Sequence, residues 1–360
     1  MEEKKSEPFR PEKLPAASNG GKAHSTVLFV FIAALSIWAV TTQWKHFSLM
    51  SFRLYLARAN AGWISAAVAA MLGFIVFEGL ALRSACLALH QGAPVVKSCK
   101  WAATDIYFSA ITPSATGGQP ACALLMMRDG IPGIVTTSVL LLTLAMYSLA
   151  ILVIGIASLV LRPGVFLSFG VLSRVLIVLG FVAQIALFLL FVMLVKNERL
   201  LEKLGSAVFR LLGRLHLMRS VEDKLAHLHS SMEEYRRLAV MLSEHRDLLW
   251  RSFAFNLLQR LSQVSVTAFT YLAMGGRFSR VGDVLAMQSY VVIGSNCVPV
   301  PGAMGVADYL MLDGFGSFLP VDHAVSLELV SRALSFYSCV LICGITVAVA
   351  YRRKMKGSAK

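Results

Sequence analysis

Charge is scarce in this sequence. Asp, Glu, Lys and Arg make up 15% of 360 residues, where a soluble domain carries about a quarter. Hydrophobic residues reach 57%, and mean hydropathy is +0.68. That combination excludes a disordered chain and an ordinary soluble enzyme. Alternation with period two is also missing, which excludes a transmembrane β-barrel. The six cysteines, Cys86, Cys99, Cys122, Cys297, Cys339 and Cys343, form no C-x-x-C, and the eight histidines form no H-x-x-x-H. The cysteines read as small buried hydrophobes, and no metal or other cofactor is expected. No P-loop pattern occurs, so no ATP-driven step is expected.

What remains is a series of long apolar runs. Residues 23–44, 59–77, 106–127, 130–161, 175–195, 261–276, 284–307 and 333–351 contain no Asp, Glu, Lys or Arg. About 20 apolar residues cross the hydrocarbon of a bilayer as a helix. The chain therefore reads as an all-α, polytopic integral membrane protein, with full spans near 26–44, 62–82, 132–160, 175–195, 252–274 and 325–350. Residues 1–25 are polar, mixed in charge and followed by too long an apolar run for a cleavable signal, so they read as a disordered cytoplasmic tail.

Two apolar stretches do not fit simple spans, because Pro and Gly crowd their centres. One, in 94–129, holds Thr112-Pro-Ser-Ala-Thr-Gly-Gly-Gln-Pro120; the other, in 284–312, holds Pro299-Val-Pro-Gly-Ala-Met-Gly-Val-Ala-Asp308. Proline lacks the N–H and clashes with the preceding turn, so no helix runs through either. Broken backbone at membrane depth persists only when buried in protein or lining a polar cavity. Both read as re-entrant helical hairpins. Lys and Arg then set orientation. Twenty-five lie in 1–25, 83–131, 196–251 and 351–360, against seven in the opposite loops. This places both termini and the 196–251 insertion in the cytoplasm of a bacterial inner membrane. The hairpins enter from opposite sides, the pointer to an inverted repeat formed by 26–195 and 252–350, with a site near the midplane. The insertion carries Leu201, Leu204, Val208, Leu211 and Leu215 at helical spacing. It reads as two amphipathic helices lying on the membrane or on each other, or as a solvated connector between the two halves. Residues 351–360 read as a basic cytoplasmic tail.

The candidate binding residues lie in the two breaks. Gly117 and Gly118 are free to turn consecutive N–H groups toward one point, and Pro120 suits the start of a helix whose N-terminus favours anions. Thr112, Ser114, Thr116 and Gln119 add hydrogen-bonding groups. Pro301, Gly302 and Gly305 repeat the arrangement ahead of Asp308. Glu328 and Arg332, one helical turn apart, are read either as an ion pair locking the last helix or as headgroup ligands. Asp308 is read as an arginine-paired carboxylate or as a proton- or cation-coupling group. Arg174 and Arg260 are expected to snorkel to an interface, and Asp105 to cap a helix or face the cytoplasm.

The first break, with Arg128 shortly after it, resembles the first signature of the lysylphosphatidylglycerol synthase transmembrane-region family. Val298 to Asp308 resembles its second signature, and Arg332 fits an arginine in its last helix. The second signature departs at Asp308, where many members carry Glu, and at Ala303, where many carry Gly. The resemblance spans Val27 to about Tyr351 and implies a flippase-like module. In the multiple peptide resistance factor, that module is fused to a soluble, aminoacyl-tRNA-dependent synthase domain. The synthase makes lysylated phosphatidylglycerol, and the module is associated with moving it outward, which lowers negative surface charge and gives resistance to cationic peptides. The chain continues only about ten residues past its last expected span, so a stand-alone member without the synthase domain is expected.

The functional expectation is movement of a phospholipid or aminoacylated phospholipid between leaflets. The ligand is a membrane phospholipid, a separate lipid aminoacyl-synthase is a candidate partner, and no nucleic acid is bound directly. The alternative is a phosphatidylglycerol lysyltransferase, acting alone or with a separate catalytic partner; a third is a non-catalytic assembly subunit.

Overall fold

A computed structural model describes residues 59–112, 115–197, 246–298, 300–303 and 305–357, with short helical stretches between 199 and 210. The expected tail at 1–25, the first span at 26–44 and most of the 196–251 insertion lie outside the described residues. Helices α1 (Ala61–Ala88), α2 (Val95–Ile111), α3 (Gly118–Arg128) and α4 (Gly133–Leu161) come first. A short α5 (Pro163–Ser168) and then α6 (Val171–Lys196) follow. After the insertion come α7 (Arg246–Ala273), α8 (Val281–Asn296), α9 (Val306–Gly316), α10 (Val321–Arg332) and α11 (Ser338–Gly357). No strand occurs among the described residues.

Helices α1 and α7 form the axis of the bundle, and they run antiparallel. Asn60, which caps α1 by accepting the Gly62 N–H at 2.9 Å, donates its own N–H to the Ala273 carbonyl at the end of α7 at 3.0 Å. Farther in, a Cβ at Gly73 would lie 3.1 Å from Ser262 Oγ, and Gln259 Nε2 reaches Glu78 at 2.6 Å. Rising numbers on α1 thus meet falling numbers on α7.

Each axial helix leads into a broken hairpin, and each hairpin returns to the end it left. For α2 and α3, Trp101 Nε1 near the start of α2 donates to Asp129 Oδ2 just past the end of α3, at 2.8 Å. For α8 and α9, Asp283 at the start of α8 pairs with Arg162 at 3.4 Å. Asp313 near the end of α9 accepts the Gly170 N–H at 2.8 Å. Arg162 and Gly170 flank α5, at one end of the bundle. The first hairpin's ends lie at the other, where Leu248 of α7 packs with Leu82, Leu89 and Trp101. The two hairpins therefore enter from opposite ends. One core, with Trp101, Met126, Cys122 and Val139, packs the first hairpin against α1 and α4, and another, with Phe169, Tyr290, Leu310, Phe315 and Leu327, packs the second hairpin against α5, α6, α7 and α10. Met71, Ile75, Val266, Cys339 and Cys343 pack where the halves join.

Among the described residues, four segments are long and apolar enough to cross a membrane: Ala61–Ala88, Gly133–Leu161, Val171–Leu194 and Val321–Val349. On α6 an outward row of Val175, Val178, Leu179, Val182, Ile185, Leu189 and Met193 is exposed, a surface suited to hydrocarbon. The expected span at 252–274 is a helix of 28 residues but is not among the four. The reason is position: α7 turns Ser252, Asn256, Gln259, Arg260, Thr267 and Thr270 inward, where all are buried. A helix enclosed by protein does not need an apolar surface. Helix α11 continues into the basic segment as far as Gly357.

Candidate functional site

The first break starts where Thr112 turns extended, with φ −110° and ψ 147°. Its Oγ1 donates to the Phe108 carbonyl at 2.7 Å and accepts the Gly117 N–H at 2.9 Å. The left-handed residue here is Ala115, at φ 55°; Gly117 is right-handed helical and Gly118 opens α3. The glycines are therefore used for close approach and not for a left-handed turn. A Cβ on Gly117 would lie 2.6 Å from Thr112 Cγ2, and one on Gly118 would fall on Ser109 Oγ and the Asp105 carboxylate.

Asp105 accepts hydrogen bonds from Ser109 Oγ at 3.0 Å and from Gln119 Nε2 at 2.5 Å. The positive end of α3 thus already faces a carboxylate belonging to the protein. At the expected N–H cradle of Gly117 and Gly118, the Gly117 N–H is held by Thr112 and the Asp105 carboxylate lies against Gly118. Thr116 and Pro120 are exposed at the rim of the break. Ser114 lies outside the described residues. Arg128 ends α3, about 15 Å of helix away from Gln119, and does not join this group.

In the second break, Pro301–Ala303 makes one 3-10 turn before α9 begins. Gly302, Ala303 and Gly305 are all left-handed, at φ 60°, 52° and 75°. Here glycine supplies the conformation itself. A side chain at Gly302 would also strike the ring of Phe336. Asp308 Oδ2 accepts the Gly305 N–H at 2.9 Å, and Oδ1 lies 2.8 Å from Arg332 Nε. Arg332 thus bonds across to the hairpin, where the sequence suggested a pair with Glu328 along its own helix. Its guanidinium lies over Phe336, 5.3 Å from the ring centre, and its Nη2 is buried with no hydrogen-bond partner. Glu328 is buried one turn earlier, in the field of both Asp308 and Arg332. A π turn, Ala333–Tyr337, follows immediately, a distortion often found at functional sites.

The second break lies against a helix of the first hairpin. The Pro301–Ala303 turn packs against α2, and α11 packs along α2, with Tyr107 close against Gly344. Gly302 therefore lies against the first hairpin, and Asp105 and Gln119 bridge that hairpin's own break.

The sequence did not single out Glu78 or Gln259, and it placed Arg260 at an interface. Glu78 and Arg260 are only 8% and 6% exposed. Arg260 does not snorkel. It lies 4.3 Å from the ring centre of Tyr147 and 5.0 Å from that of Phe74, and Nη1 donates to Gln263 Oε1 at 2.6 Å. Two aromatic faces return about 0.5–2 kcal/mol each to a buried arginine. The signal for this group was a single charge, Glu78, ending a charge-free run, and an arginine inside an expected span.

The profile of the lysylphosphatidylglycerol synthase TM region matches residues 26–343. The chain belongs to this family. No curated protein matches it. The family match spans both broken hairpins and the Asp308–Arg332 pair, and with the four apolar helices it makes the chain a membrane protein with a role in lysylphosphatidylglycerol biology.

Proposed function

We propose that this family member moves a phospholipid or an aminoacylated phospholipid of the lysylphosphatidylglycerol type between leaflets, lowering surface negative charge and so favouring resistance to cationic peptides. One observation carries the reading. Two helical hairpins enter from opposite ends, and the break of the second lies against the first with a charged pair beside it. Inverted hairpins with breaks at depth are the architecture of alternating-access carriers. In this reading the hairpins are re-entrant, α7 and residues 26–44 complete six spans, and the halves form an inverted repeat. Both termini are cytoplasmic at the bacterial inner membrane.

The headgroup chemistry follows from the second break. Arg332 Nη2 has a free donor for phosphate, while Asp308 and Glu328 supply negative charge for an ammonium. Acyl chains remain in the bilayer. A lipid carrying both signs suits this pairing better than phosphate set on the half-helix N-termini. A separate lipid aminoacyl-synthase would supply the aminoacylated form.

The family's description names a synthase, which favours lysyl transfer as the second reading. Purified protein in liposomes separates the two. With fluorescent phosphatidylglycerol and an impermeant quencher, wild type is expected to expose inner-leaflet probe without tRNA. Arg332→Gln is expected to slow this roughly tenfold, the equivalent of one charge-assisted hydrogen bond of about 1.5 kcal/mol. Movement no faster than in protein-free liposomes, with lysyl transfer appearing on addition of lysyl-tRNA, would overturn the transport reading in favour of transfer.

A further inference from the structure

Glu78 of α1 and Asp105 of α2 are neighbouring carboxyls on two packed helices, buried in the interior at only 8% and 7% exposed. A hydrogen bond between two carboxyl groups needs a proton on one of them, and like charges in contact at low dielectric cannot both persist. Each carboxyl also receives an amide: Gln259 Nε2 at Glu78 and Gln119 Nε2 at Asp105.

Both amides leave their Oε1 buried and without a partner, and Gln259 is only 1% exposed. This second observation points to a ligand. An amide presents a donor to an ionised carboxylate and, turned over, an acceptor to a protonated one. Glutamine on each side is therefore fitted to both protonation states of the pair. The other groups facing the pair are Arg260 of α7, Cys339 and Cys343 of α11 and Cys122 of α3, with Ser109 on Asp105. Arg260 supplies one positive charge, so the pair with one proton is neutral overall, and without it the group is left negative. A small cavity lined by Arg260, Gln263 and Ser289 among apolar side chains adjoins this charge.

We propose that Glu78 and Asp105 form a binding site for one exchangeable proton inside the bundle, with Gln259 and Gln119 as its adaptors. The site bridges the axial helix α1 and the first hairpin, since Asp105 holds Gln119 across the break. It does not depend on which lipid is moved, or on whether one is.

Infrared difference spectroscopy of the full chain in phosphatidylglycerol vesicles, between acidic and alkaline buffer, tests this directly. The expected result is one titrating carboxylic-acid C=O band that is lost in both Glu78→Gln and Asp105→Asn and kept in Asp308→Asn. A band unchanged in both variants, or no such band in wild type, overturns the proposal. A band lost in only one variant overturns the sharing, because the proton then belongs to one carboxyl. Where a variant yields no folded protein, wild type labelled at the carboxyl carbon of aspartate or of glutamate replaces it, and the band must shift on labelling.

Discussion

A methyl group at Gly118 would fall on Ser109 and the Asp105 carboxylate, and 2.6 Å from the Asp105 carbonyl oxygen, so even alanine has no room there. Overpacking of this kind costs about 1–3 kcal/mol. Gly118→Ala is expected to lower the unfolding temperature of the purified protein and to loosen α3 from α2. Gly316→Ala, where nothing lies within 4 Å, should be neutral. Equal unfolding temperatures would show that the hairpin relaxes freely. The glycine pair was legible in sequence as a turn of the backbone, but its use for close approach was not. Which neighbour approaches a glycine is a tertiary fact, and Asp105 is thirteen residues away along the chain. Asp308 was legible as a carboxylate open to pairing with an arginine, while the choice of Arg332 depended on a left-handed Gly305 turning the carboxylate toward α10. Removing one partner of a buried pair costs about 3–5 kcal/mol, and less where one partner is partly accessible, as Asp308 is at 30%. Asp308→Asn and Arg332→Gln should each destabilise, and the double variant by less than their sum. Strict additivity in thermal unfolding would show that the pair contributes nothing as a pair.

Helix α7 shows why composition undercounts the elements of such a bundle. Its inward face is polar because it meets α1 and the hairpins, and only helices with a lipid-facing surface need long apolar runs. Element existence was therefore readable from the breaks, while the polar axis was readable only as an expected span with an arginine inside it. The π turn at Ala333–Tyr337 was not readable at all, since an extra residue in a helix leaves no compositional mark. It has a testable use. Deleting Leu334 would restore regular α-helix and rotate everything before it by about 100° relative to α11. Arg332 and α11 cannot then both keep their present contacts, with Asp308 and with α2. The expected outcome is unchanged helical content by circular dichroism together with loss of the Asp308–Arg332 coupling and of lipid movement. Normal movement in the deletion variant would show that the turn is a packing detail without bearing on the site.

At the scale of the whole molecule, the decisive property is that each hairpin returns to its own end. Charge-free length alone reads 106–127 and 284–307 as two more spans, and Lys and Arg counting opposed that only indirectly. The contacts that settle the geometry, Trp101 with Asp129 at one end and Asp313 with the Gly170 N–H at the other, join residues far apart in sequence. Accessibility from the two sides of a membrane tests whether the bundle sits in the bilayer as this geometry implies. In a background where Cys99 and Cys297, the two partly exposed native thiols, are replaced by serine, single cysteines are introduced at Gly92 and Met127. These flank the first hairpin. A second pair, at Ser279 and Gly316, flanks the other. All four positions are exposed. An impermeant maleimide applied to intact cells is expected to label Ser279→Cys and Gly316→Cys. The Gly92→Cys and Met127→Cys proteins should react only after the membrane is opened. The comparison within each pair carries the argument, because a hairpin keeps its two flanks on one side and a true span separates them. If Gly92→Cys and Met127→Cys were labelled from opposite sides, the first broken helix would cross the membrane. The opposed hairpins would then be lost as a basis for transport, whatever the chemistry of Asp308 and Arg332.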